Sequence, residues 1–111
     1  ATTTDATPTT SLTFSLATPR SDGVFFIEGF VVAYDITDTA GGSYSFVSGA
    51  RTTAGVGIEI GTEFKDVLEE AAMATADFSV SVSGNNFIIT VVGIAGKTIH
   101  WNCYLTYRFV S

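Results

Sequence analysis

From Ser11 onward, apolar side chains recur at every second position rather than at the three-to-four spacing of a helix. In SLTFSLA, Leu12, Phe14 and Leu16 alternate with polar residues, as a strand with one covered face requires. Pro19 and Asp22-Gly23 break the pattern. The next segment, GVFFIEGFVVAY (23–34), is apolar on both faces apart from Glu28, which predicts a central strand buried on both sides. Gly29 within it predicts a bulge or a close backbone approach. Asp35 to Gly42 reads as a polar loop turning at Gly41-Gly42. SYSFVSGA (43–50) then sets Tyr44, Phe46 and Ser48 on one face, as a hairpin partner of the preceding strand, and GVGIEI (55–60) alternates around Glu59. Only TEFKDVLEEAAMA (62–74) leaves the two-residue period. Phe64, Val67, Leu68 and Ala71 fall at helical spacing behind Thr62 as N-cap, which predicts one short helix or a loop with a helical turn.

DFSVSVSG (77–84) alternates again, Gly84-Asn85-Asn86 supplies residues that tolerate positive φ, and NFIITVV (86–92) returns. The last segment, TIHWNCYLTYRFV (98–110), places Ile99, Trp101, Cys103, Leu105, Tyr107 and Phe109 on a single face. The pattern predicts an all-β fold: an antiparallel β-sandwich or jelly roll of about eight strands, with at most one short helix, over residues 12–111. Residues 1–11, ATTTDATPTTS, carry almost no large apolar group and cannot offset their own ordering entropy. They read as a threonine-rich arm held by contacts with a neighbouring subunit, made through Thr2, Thr3, Thr4, Thr7 and Pro8.

Composition narrows the classes. With 111 residues, 46% of them hydrophobic and 14% charged, the chain is one domain able to bury a core. A net charge of −6, with basic residues scattered at Arg20, Arg51, Lys65, Lys97 and Arg108, offers no track for a phosphate backbone, so nucleic acid is not an expected partner. The lone Cys103 cannot form an intrachain disulfide and sits among strand apolars, as a small hydrophobe would. No apolar run reaches the ~18–20 residues of a helical membrane span, and no basic-then-apolar leader is visible. Ala1 fits removal of an initiator Met, and equally cleavage from a longer chain.

VVGIAGKTIHW (91–101) spells part of a nucleotide-binding loop, but the spacing fails. Such a loop needs a glycine five residues before the Gly of GK[ST], and that position is Val91; Gly93 stands too close. A phosphate loop also opens a helix, whereas a strand follows here, so a hairpin turn with an exposed Lys97 is expected. His100, the only histidine, faces away from Trp101, and no nucleophile elbow accompanies it. His100 and Cys103 lie on opposite strand faces and cannot converge on a metal. Asp35 and Asp38 read as a solvated acidic turn, since two carboxylates do not complete a calcium site. Asp66, Glu69 and Glu70 read as a charged helical face. No catalytic residue, cofactor or metal site is therefore expected. What remains is surface: strands apolar on both faces, with a positive mean hydropathy, imply that a second face is buried against other subunits.

NFIITVVGIAGKTIHW (86–101) resembles the ending of a module found in phage virion proteins, a glycine turn leading into a tryptophan strand, with Gly93, Ala95, Gly96, Lys97, Thr98, Ile99 and Trp101 matching. SYSFVSGARTTAGVGIEIGT and DFSVSVSGN are similar to the hairpin and strand upstream of it, so the likeness spans roughly 25–111. It departs at His100-Trp101-Asn102-Cys103, and at Phe26 and Phe78 where the family has Trp. The resemblance implies a β-rich virion component without catalysis, made in the host cytoplasm and carried on the particle surface. The expectation is a capsid decoration or cement protein, a homo-oligomer, most simply a trimer, bound to other virion proteins such as the major capsid protein, with its arm on the shell. The alternative is a tail-fibre or spike tip that recognises a host glycan through Tyr34, Tyr104 and Tyr107, although packing is the ordinary role of such tyrosines.

Overall fold

The computed structural model describes residues 1–111. Nine strands form two antiparallel sheets: β1 (Thr2–Thr3), β2 (Thr9–Ser15), β3 (Gly23–Asp35), β4 (Ala40–Thr53), β5 (Val56–Glu59), β6 (Phe64–Glu69), β7 (Asp77–Ser83), β8 (Asn86–Val92) and β9 (Ile99–Val110). The large sheet runs β1-β9-β3-β4-β5, with β6 sharing β4's edge with β5, and the small sheet runs β2-β8-β7. The fold is an antiparallel β-sandwich.

Alternation decides which side chains meet between the sheets. Phe25, Ile27 and Val31 of β3, Tyr44 and Phe46 of β4, and Ile99 and Trp101 of β9 point inward. Phe78 of β7 and Phe87, Ile89 and Val91 of β8 meet them. Phe46 and Phe87 stack across the gap, and Tyr44 packs on both Phe78 and Trp101. Gly29 is a close approach rather than a bulge, for the β3 register is unbroken. A Cβ there would lie 2.6 Å from Cζ of Phe46 and would also strike the Tyr104 carbonyl.

Several local expectations give way. β3 is central in its sheet, yet only its inward row is buried: Val24, Phe26, Phe30, Val32 and Tyr34 are exposed on the outer face. Residues 62–74 form no α-helix; Phe64–Glu69 is a strand, followed by one 3-10 turn at Ala71–Met73. An isolated three-turn helix is marginal, whereas β4 offers this segment a register from Gly42 to Val47. Side-chain bonds fix it there: the Tyr44 hydroxyl donates to Glu69 Oε2 at 2.8 Å and the Gly41 N–H to Glu70 Oε2 at 2.6 Å. Asp66, Glu69 and Glu70 are thus strand and post-strand residues, not a helical face. Gly41-Gly42 is also not the turn. It lies inside β4, and the chain reverses at Ile36–Thr39, where Thr39 takes a φ of 55°.

Gly29→Ala places a methyl group in the Phe46 ring. It is expected to cost about 2 kcal/mol, measured as a lower urea midpoint at unchanged slope.

Candidate assembly surface

The Gly93–Trp101 stretch joins the two sheets of the sandwich. β8 and β9 belong to different sheets, so Gly93–Thr98 crosses the sandwich and is not a hairpin. Both flanking strands carry their apolar row toward the same core, and only a crossing lets each cover the other. The Lys97 N–H donates to the Ile94 carbonyl at 3.1 Å, and Gly96 sits at φ 77°, where a side chain would be strained. Ala95 at the turn's tip is exposed.

Lys97 is not the exposed lysine expected of a turn. Its Nζ donates to the Ala72 carbonyl at 3.0 Å, pairs with Asp38 and stands 3.9 Å from Asp35 Oδ2. Asp35 is fully buried, so the acidic turn is only half solvated. Its Oδ1 accepts the N–H groups of Thr37 and Asp38 at 2.9 and 3.2 Å, while Oδ2 has no hydrogen-bond donor. The Lys97 ammonium is the cation that faces that oxygen. Thr98 completes the clamp, its N–H donating to Thr37 Oγ1 at 3.0 Å and its carbonyl accepting from Ile36. No three His, Cys, Asp or Glu side chains converge as a metal site.

The arm enters the same unit. Thr2 and Thr3 pair with His100 and Ile99 of the chain's own β9. The Trp101 indole N–H donates to Thr3 Oγ1 at 2.9 Å in a buried bond, and its backbone N–H to the Ala1 carbonyl at 2.8 Å. Gly93 makes room: a Cβ there would lie 2.6 Å from the Asp5 carbonyl and against Thr3. Thr2 Oγ1 meets His100 Nδ1 at 3.1 Å. Thr4, Thr7 and Pro8 are exposed. The Thr7 N–H, donating to Asp5 Oδ1 at 2.8 Å, holds the Asp5 carboxyl below its ordinary value. A buried tryptophan needs an acceptor for its N–H, and that need was the sequence-level signal for Thr3. Cys103 is half-buried, its thiol donating to Ser11 Oγ at 3.2 Å, and burial pushes that thiol up.

The unpartnered feature of the molecule is the outer face of the large sheet. Val24, Phe26, Phe30, Val32 and Tyr34 run down its middle. Val47 of β4, Phe64 and Leu68 of β6, and Tyr104 of β9 flank them, with Phe30, Leu68 and Phe64 exposed by 58, 70 and 78%. Ile60 folds over Gly49 to extend the face, since a Cβ on Gly49 would lie 2.8 Å from it. The charges here are sparse, with Glu28 and Arg108 paired at 3.6 Å and Asp66 and Arg51 towards the β4 side. Phe64 and Leu68 were hidden from the sequence by the helical reading of their segment. Tyr34 and Tyr104 belong to this face, but Tyr107 points inward, its ring 4.7 Å from Phe14, so the three tyrosines share no platform.

Comparison with protein-family models, curated proteins and solved structures finds no match for this chain. Its function is therefore read from its own surfaces.

Two substitutions test the clamp. Gly93→Ala is expected to expel Thr3 and Asp5, exposing the arm to proteolysis and costing about 1–3 kcal/mol in denaturant unfolding. Lys97→Met removes the cation facing Asp35 and is expected to cost about 3 kcal/mol, part of it recovered when Asp35→Asn is added.

Proposed function

We propose that the chain is a non-catalytic structural protein of a phage particle that acts as a homo-oligomer, taken as a trimer, on the capsid surface as a decoration or cement protein. The observation that carries this reading is the outer face of the large sheet. The molecule extends 46 × 21 × 18 Å, so its broad face approaches the ~800 Å² per partner that stable protein interfaces bury. Aromatic and branched side chains dominate it, as in the core of an obligate interface. Burial of apolar surface, at ~25 cal/mol per Å², is the term that opposes the cost of bringing copies together.

The resemblance of residues 93–101 to a phage virion module supplies the particle context, and the geometry gives those residues a structural part. Thr4, Thr7 and Pro8 are exposed, which supports a contact of the arm with a shell subunit such as the major capsid protein.

Sedimentation of the purified chain checks the self-association. The wild type is expected as an oligomer at micromolar concentration, and Phe30→Asp, which buries no charge in the single chain, is expected to weaken association at least tenfold with the β circular dichroism unchanged. A wild type that is a monomer would sink the reading. Imaging of particles lacking the protein locates it: missing knobs on the head support decoration, while lost adsorption with an unaltered head replaces it by a receptor-binding tip.

A further inference from the structure

β9 has a second unsatisfied feature, its edge. β1 covers it only from Ile99 to Trp101, and no strand lies beyond Asn102–Val110 on the side away from β3. Because the Trp101 N–H bonds outward to Ala1, the odd-numbered residues of β9 turn their main chain away from β3. The N–H and C=O groups of Cys103, Leu105, Tyr107 and Phe109 therefore form an open ladder. Other edges are blunted: β2 has a register break beside Ser11, β5 spans four residues, β6 carries Lys65 and Asp66, and β7 lies against β5, where the Gly57 N–H donates to the Gly84 carbonyl. Asn102–Val110 has no proline, lysine, bulge or inward charge. Tyr107 and Phe109 point into the sandwich yet stay 39 and 41% exposed: Phe14 of β2 and Arg20 pack on their rings, but no strand continues the large sheet beside them.

We propose that this edge pairs with the same edge of a second copy, antiparallel about a two-fold axis at Thr106. The free stretch between the arm and the strand end is centred there, and the register is self-complementary. Leu105 faces Tyr107 of the second copy and Cys103 faces Phe109, in the closely hydrogen-bonded positions, so the half-covered inner row gains apolar neighbours. On the outer side Thr106 meets its own copy, a favourable cross-strand pair, and Arg108, the only charge on the segment, lies beside Tyr104 of the second copy, where guanidinium and ring attract. No like charges oppose one another. The large sheet thereby continues from one molecule into the next, through a junction separate from the outer face and independent of where on a particle the protein sits.

Disulfide trapping tests the register. Thr106 and Tyr104 are exposed and outward-facing, so substitution there leaves the core intact. In a Cys103→Ser, Phe30→Asp background, which removes the native thiol and disrupts the outer face, Thr106→Cys is expected to form a covalent dimer under mild oxidation at least tenfold faster than Tyr104→Cys. The two Tyr104→Cys sulfurs would stand about 14 Å apart in this register. Mixing chains carrying Tyr104→Cys with chains carrying Arg108→Cys is expected to give the cross-linked pair that neither forms alone. Trapping of Thr106→Cys no faster than Tyr104→Cys, or only when Phe30 is intact, overturns the edge pairing; Phe30→Asp leaving wild-type association unchanged overturns the outer-face reading instead.

Discussion

The buried indole of Trp101 is the contact on which the rest of the structure depends. It lies at the start of β9, stacked on Tyr44 on the same inner face of the large sheet, with its one polar atom satisfied by Thr3. A buried N–H without a partner costs about 1–3 kcal/mol, so the arm is not an ornament on the sandwich. It closes the large sheet's end and fills the groove that Gly93 leaves open. The crossing turn, the acidic β3–β4 turn and the 3-10 turn are tied to the same corner by the Lys97 ammonium. Four segments distant in sequence thus share one packing unit. The residues that looked like a phosphate loop are the ones that join them.

A second constraint is unequal strand length. β3, β4 and β9 run for 13, 14 and 12 residues, while each strand of the small sheet runs for seven. The small sheet covers only part of the inner face, so Tyr107 and Phe109 lie partly exposed beside Phe14 and the buried Phe25, with the Arg20 guanidinium over Phe109. The outer face of the large sheet has no layer at all. A three-layer protein would cover it with helices; this chain spends its one helical-looking segment extending the sheet. Apolar surface on this two-layer fold is left exposed on its outer side.

The period-two rows of β2, β7 and β9 were legible because each puts most of its apolar side chains on one face, and the inward row of each packs on the core. The buried tryptophan and the close approach at Gly29 were legible for the same reason. Segment 62–74 was not, because Phe64, Val67, Leu68 and Ala71 satisfy a helical spacing while Lys65, Val67 and Glu69 satisfy a strand. The edge of β4 decided between them. The reversal at Ile36–Thr39 was missed because an adjacent glycine pair is the stronger local signal, whereas Asp35 fixes this turn by accepting two backbone N–H groups. Lys97 was misplaced because its partners lie 25 to 62 residues away.

By itself the sequence determined that the chain is all-β, an antiparallel sandwich or jelly roll, and that Gly93–Thr98 lacks the spacing of a nucleotide loop. Alternation and spacing are local properties, and they suffice for those conclusions. Tertiary structure alone decided that β8 and β9 lie in different sheets, that Thr3 satisfies Trp101, and that one face of β3 is left open. Those outcomes depend on which strands become neighbours, and neighbours are chosen by the energy of the whole packed sandwich, not by any one segment.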